Sequence, residues 1–98
     1  IYPAEIEAAL ASLPGVADSA VFGIPDDEYG ESLIALVERQ PGAAVDAEAV
    51  RRHLSERLAD YKVPRRVEFA DSLPREDTGK IFKRRLREPY WAGRDRRI

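Results

Sequence analysis

The sequence predicts a small α/β (α+β) domain: a mixed three-stranded sheet, two main helices and a short basic C-terminal helix. Three observations point to it. Apolar residues recur at helical spacing in two stretches, Ile6, Ala9, Leu10, Leu13 and then Ala47, Val50, Leu54, Leu58. Runs rich in Val, Ile, Leu and Phe, the signature of strands, lie between and after them at 19–24, 33–38 and 66–69. The pairs Pro14-Gly15 and Pro41-Gly42 break the pattern where one element must give way to the next.

Taken in order, Pro3 suits a first helical turn, where its missing N–H is not needed. Pro14-Gly15 stops that helix. The acidic connection 25–30 is longer than a two-residue turn, so the first two strands are expected to pair antiparallel across a broader loop. Asp46 is placed to cap the second helix, whose apolar side then faces a core. After Tyr61-Lys62-Val63-Pro64, alternation in Arg66-Val67-Glu68-Phe69 reads as the third strand. Residues 81–87 form the final helix, anchored by Phe82 and Leu86, and 88–98 a polar tail tacked down by Tyr90 and Trp91.

A chain of 98 residues supports one small core and is too short to hold a separate nucleotide-binding domain as well. No apolar run approaches the ~20 residues that span a bilayer, and no signal-peptide pattern opens the chain. Zero cysteines exclude disulfides, and one histidine leaves no metal-ligand cluster, so no metal site is expected here. A cytoplasmic location fits that composition. The net charge of −2 hides an asymmetry: residues 1–74 carry 7 Lys+Arg and 14 Asp+Glu, whereas residues 75–98 carry 9 and 4. A basic C-terminal block suggests an anionic partner. Without aromatic stacking platforms or a recognition motif, nucleic acid is set aside in favour of a phosphate-bearing small molecule.

Within that block lies Leu73-Pro74-Arg75-Glu76-Asp77-Thr78-Gly79-Lys80-Ile81-Phe82. Pro74 and Thr78-Gly79 shape a turn, and Gly79 permits backbone angles that hold Lys80 at the tip of a tight loop. An ammonium on a flexible stem, presented that way, can meet a phosphate or a carboxylate. The following Lys83, Arg84, Arg85 and Arg87 read as a solvated helix face. Elsewhere, Asp26, Asp27 and Glu28 read as a solvated turn, and Glu5 and Glu7, two apart on a helix, do not face each other. His53 is expected at an exposed or boundary position.

The Pro-x-x-x-Thr-Gly-Lys stretch resembles the closing motif of the adenylate-forming enzymes: acyl-CoA and aryl-CoA synthetases, firefly luciferases and the adenylation domains of nonribosomal peptide synthetases. Other segments resemble the same family's small mobile C-terminal domain in order and spacing: Ile1-Tyr2-Pro3-Ala4-Glu5-Ile6-Glu7, Gly15-Val16-Ala17-Asp18-Ser19-Ala20-Val21, Pro25-Asp26-Asp27-Glu28-Tyr29-Gly30-Glu31 and Leu58-Ala59-Asp60-Tyr61-Lys62-Val63-Pro64. Together they cover almost all of residues 1–87, the expected lid domain, with 88–98 as its tail.

The resemblance implies an acyl-CoA synthetase (carboxylic acid + ATP + CoA to acyl-CoA + AMP + pyrophosphate). Lys80 would be its adenylation lysine, and Pro74, Thr78 and Gly79 would shape the loop that delivers it. Tyr61, Lys62, Arg65 and Arg66 would meet the CoA nucleotide; equally, Tyr61 packs at a helix end and the basic residues are solvated. ATP and CoA are then substrates, with Mg2+ arriving through ATP and bound outside this domain. The partner would be the enzyme's own large N-terminal domain, joined through a hinge just before Ile1, so the chain alone would be inert. The spacing of Pro74 and Gly79-Lys80 also resembles the pattern bacterial protein acetyltransferases recognise, which would make Lys80 a target for a lysine acetyltransferase; equally, the spacing merely reflects the catalytic turn. Two other functions compete: the lid of an amino-acid-activating domain serving a carrier protein, and a stand-alone α/β binding module. The acyl substrate is not legible, since its pocket lies outside these residues.

Overall fold

A computed structural model describes residues 2–92; Ile1 and residues 93–98 of the expected tail lie outside the described residues. The elements run α1 (Tyr2–Leu10), β1 (Val16–Asp26), β2 (Gly30–Arg39), α2 (Ala47–Ser55), a single 3-10 turn (Asp60–Lys62), β3 (Arg66–Ala70) and α3 (Lys83–Trp91). The sheet order is β1-β2-β3, with β1 antiparallel and β3 parallel to the central β2. The expected mixed three-stranded sheet and helices are all present. α2 fills the crossover that a parallel pair requires.

Both faces of the sheet are covered, which explains why β1 and β2 read as near-continuous apolar runs. On one face Val21, Ala35 and Val37 pack against Ile6 and Leu10 of α1 and Val50 and Leu54 of α2. On the other, Ala20, Phe22, Ile24, Ile34 and Leu36 meet Leu73, Ile81, Leu86 and Tyr90. Each fully buried Ile or Leu here contributes about 1.5–3 kcal/mol of burial. The ladder carries one irregularity, between Val16↔Arg39 and Asp18↔Glu38. The extra residue, Ala17, reverses the parity of the strand, so Val16 joins the α1/α2 core while Asp18 stays on the opposite face.

Helix limits follow local chemistry. The Asp46 carboxylate accepts the N–H of Ala49 at 2.9 Å, the expected cap of α2. α1 ends at Leu10, earlier than its apolar periodicity suggests, and turns through Gly15 at φ +96°. β1 is an edge strand whose free backbone groups are occupied by side chains. Glu7 accepts from Val21 N–H at 2.7 Å, Asp18 from Ser19 N–H at 2.8 Å, and the Trp91 indole donates to Gly23 C=O at 3.0 Å. Such cover leaves little edge for another strand to join.

Three expectations are corrected. The 25–30 connection is tighter than a broad loop: pairing continues to Asp26↔Gly30, leaving only residues 27–29 as the turn. The reason is the Asp26 side chain, which accepts from the N–H of Glu28 and Tyr29 at 2.9 and 3.1 Å, with Gly30 at φ +82°. The last helix is Lys83–Trp91 instead of 81–87 and runs through Pro89. Tertiary contacts override the proline there: Tyr90 packs on Phe22 with ring centroids 6.0 Å apart, so residues 88–91 are helix, not tail. Phe82 is half-buried beside the Arg84 guanidinium, and Ile81, Leu86 and Tyr90 supply the anchoring. His53 is buried, 8% exposed, with Nε2 2.9 Å from Ala9 C=O and 3.0 Å from Ser12 Oγ. It ties α2 to the end of α1, a partnership across 41 residues that periodicity does not reveal.

Candidate functional site

Lys80 stands on a short hairpin laid across the second face of the sheet. Arg75 and Ile81 form an antiparallel bridge, and Glu76 N–H donates to Lys80 C=O at 2.8 Å. Gly79 N–H donates to Glu76 C=O at 2.8 Å, closing a four-residue turn around Asp77 and Thr78. Gly79 has φ +93°, the left-handed conformation that lets the chain re-enter the hairpin, and a side chain there would be strained. Pro74 contributes its carbonyl, which accepts Phe82 N–H at 2.9 Å, and Thr78 Oγ1 lies 3.5 Å from Lys80 N. The foot is pinned by Leu73, 5% exposed, whose N–H donates to Glu38 at 3.1 Å. Lys80 itself is exposed, and among the described residues it has no ion-pair partner.

Its neighbours are committed elsewhere. Arg75 donates to Asp18 Oδ2 at 2.9 Å and to Gly79 C=O at 3.2 Å, and lies 3.5 Å from Glu38 Oε1. The hydrogen bond to Asp18 pushes the guanidinium above its already high usual value. Lys83, expected as a solvated residue, pairs with Glu7 at 2.6 Å and so joins α3 to α1. Glu7, Asp18, Arg75, Gly79 and Lys83 help to wall, with Lys80, an open groove of about 610 Å³ along the hairpin.

The second set of sequence-predicted residues divides. Tyr61, 71% exposed, and Arg65 line one groove of about 560 Å³, with Leu33 and Val63 beneath them. Lys62 pairs with Glu5 of α1 at 2.9 Å, and Arg66 with Glu68 at 2.8 Å beside the Tyr90 ring. Glu31, Ser32 and Asp60 also line it, together with an aromatic residue that the sequence did not single out. Tyr29, 58% exposed, sits on the β1–β2 turn with the Arg65 guanidinium 4.6 Å from its ring centroid. An aromatic residue in an otherwise acidic, polar turn was the signal available for it. Such a groove can hold a flat ring between tyrosines and a phosphate on arginine. Among the described residues, no group of three or more His, Asp or Glu is placed to hold a metal ion.

Fold and site therefore define a small domain that presents an exposed lysine outward on a braced hairpin. The family model for the AMP-binding enzyme C-terminal domain matches residues 5–80, and the chain belongs to that family. It is 52% identical over 88 residues, 90% of this chain, to 3-[(3aS,4S,7aS)-7a-methyl-1,5-dioxo-octahydro-1H-inden-4-yl]propanoyl:CoA ligase of Rhodococcus jostii, of which it covers 17%. It is 42% identical over its full length to fatty acid–[acyl-carrier-protein] ligase ScoC of Streptomyces coeruleorubidus, covering 19% of that protein. The crystal structure of ATP-bound MatB from Rhodopseudomonas palustris superposes with a TM-score of 0.87 at 42% identity, over 94% of this chain and 18% of that one. The chain thus spans under a fifth of these relatives.

Proposed function

We propose that this chain is the mobile C-terminal lid of an ATP-dependent acid–CoA ligase, working with a large N-terminal domain of the same enzyme. The observation that carries the proposal is the exposed Lys80 on a backbone-braced hairpin, without an ion-pair partner among the described residues. In the first half-reaction a carboxylate oxygen attacks the α-phosphate of ATP, pyrophosphate leaves, and negative charge gathers between two repelling anions. The Lys80 ammonium stabilises that charge and aligns the reactants. In the second, the CoA thiol attacks the acyl-adenylate carbonyl and AMP leaves. Tyr61, Tyr29 and Arg65 then receive the CoA nucleotide, while Lys62 and Arg66 serve through the ion pairs that shape the groove's surroundings. Mg2+ would enter with ATP and be held outside these residues. A cytoplasmic location belongs to the same proposal; no helix of the described residues is long and apolar enough to cross a membrane.

A second acceptor has one observation in its favour: ScoC, similar over the whole chain, is named as a ligase for an acyl-carrier protein. Incubating the full-length enzyme with ATP, a panel of carboxylic acids and either CoA or a carrier protein distinguishes the two. Pyrophosphate release followed by an acyl-CoA product supports the ligase. Acylated carrier with no thioester on CoA favours the alternative, and no pyrophosphate release with any acid removes both.

Lys80 is also the proposed target of a lysine acetyltransferase. Its exposure leaves the amine open to modification, and acetylation would remove the charge that adenylation uses. Treating the enzyme with an acetyltransferase and acetyl-CoA, then mapping modified lysines by mass spectrometry, tests this. Full adenylation activity with Lys80 stoichiometrically acetylated would reject it.

A further inference from the structure

We infer that Arg75 is the positioning residue of this site: it braces the Lys80 hairpin and engages two carboxylates that would otherwise compete for the lysine. The inference rests on the role proposed for Lys80. It starts from the ladder, where Asp18 of β1 and Glu38 of β2 are direct cross-strand partners. Two like charges in that relation repel each other, and a cation between them is needed. Asp18 shares the face of Ala20 and Phe22, over which the hairpin lies, so the acidic pair sits under the loop that carries Lys80.

Arg75 answers both demands at once. Nη2 is 2.9 Å from Asp18 Oδ2 and 3.5 Å from Glu38 Oε1, while Nη1 donates to Gly79 C=O at 3.2 Å. The same guanidinium therefore occupies the carboxylates and fixes the carbonyl directly preceding Lys80. A planar fork with five donors can do this; a single ammonium cannot span all three acceptors. Next to it, Lys83 occupies Glu7 in the same manner. Of the groove's acidic residues, Asp18 is thus engaged by Arg75 and Glu7 by Lys83, while Glu76 lines it on the hairpin itself. Were Arg75 absent, Lys80 would be the nearest mobile cation on the hairpin to answer Asp18, and an ammonium paired at home must break that contact before it reaches an anion in another domain.

The test uses the full-length enzyme with its two half-reactions assayed separately. Arg75→Ala and Arg75→Gln are expected to lower acyl-adenylate formation roughly 10- to 100-fold, the scale of a misplaced reacting group. Thioester formation from supplied acyl-adenylate should be unchanged, which also shows the variants are folded. Adding Asp18→Asn and Glu38→Gln to Arg75→Ala should recover part of the adenylation rate. In a Lys80→Ala background, Arg75→Ala should bring no further loss. Equal loss in both half-reactions, no recovery on removing the carboxylates, or an additive loss beside Lys80→Ala would each overturn the role of Arg75. Adenylation lost in Lys80→Ala but intact in Arg75→Ala would overturn it while leaving Lys80 in place. Full adenylation in Lys80→Ala would remove the role of the lysine, and this inference with it.

Discussion

The turn at 26–30 and the hairpin that carries Lys80 are built by the same local means, yet they are anchored very differently. Each closes over two or three polar residues and re-enters its strand through a glycine, Gly30 at φ +82° and Gly79 at φ +93°. The first ends a ladder that runs along the whole of β1 and β2. The second rests on one bridge, Arg75↔Ile81, with a buried foot at Leu73 and side-chain contacts from Arg75 to Asp18 and Glu38. Backbone pairing gives the first most of its place, with the Asp26 carboxylate closing the turn. Electrostatics give much of its place to the second, which suits the proposed role of Lys80 in carrying a cation to another domain.

The largest expected effect lies on the charge-anchored hairpin. Lys80→Ala should cost about 3 kcal/mol of transition-state stabilisation in acyl-adenylate formation, roughly 10²–10³-fold, and spare the thioester step. The assay is pyrophosphate release against thioester formation from supplied adenylate. A loss shared equally by both steps would take the lysine out of its proposed role.

The groove between the ladder-anchored turn, with Tyr29, and the Asp60–Lys62 turn, with Tyr61, should show the opposite split. Tyr29→Ala and Tyr61→Ala should each remove a stacking surface worth ~1–3 kcal/mol, raising the apparent KM for CoA with pyrophosphate release intact. An unchanged KM in both variants would mean the groove does not hold the nucleotide.

The two glycines sharpen the contrast further. Alanine at either forces a left-handed residue, at ~1 kcal/mol. For Gly30→Ala that strain enters the cooperative sheet and should appear as a lower Tm with adenylation retained. For Gly79→Ala it falls on an exposed turn and should appear as slower adenylation with little change in Tm. Reversal of that pattern would show that the two anchorages do not differ as described.

The smallest effect is on pH dependence. N–H donors from Tyr29 and Glu28 hold the Asp26 carboxyl below the usual aspartate value. A depressed folded value means the contribution is present above about pH 4 and is lost as pH falls through the folded value. Acid denaturation followed by circular dichroism should therefore be less steep at the acid end for Asp26→Asn. An identical acid limb in both proteins would show that the turn owes nothing to that carboxylate's ionisation.

Much of the fold was legible because it rests on short-range rules. The apolar spacing of Ile6 and Leu10 or Val50 and Leu54, the Asp46 cap and the Gly79-Lys80 turn each depend on residues a few positions apart. The misjudged boundaries share a cause. The Asp26 side chain shortened the turn, and contacts of Tyr90 and Trp91 with β1 carried a helix through Pro89. In the candidate site, Lys80 was visible from its motif, whereas Tyr29 stood beside an acidic turn, Asp26 to Glu28, that reads as solvated. From sequence Lys62 reads as a CoA contact or a solvated residue and Lys83 as solvated, whereas each pairs with a glutamate of α1, Glu5 and Glu7.

The sequence by itself determined that a lysine would be held outward on a tight turn in a small mixed α/β domain, because glycine's left-handed backbone and hydrophobic periodicity act within a few residues. Tertiary structure alone decided which charges would remain available. Ion pairs form between residues far apart in the chain, Arg75 with Asp18 and Lys83 with Glu7, and only packing the hairpin and α3 against β1 and α1 brings them within reach.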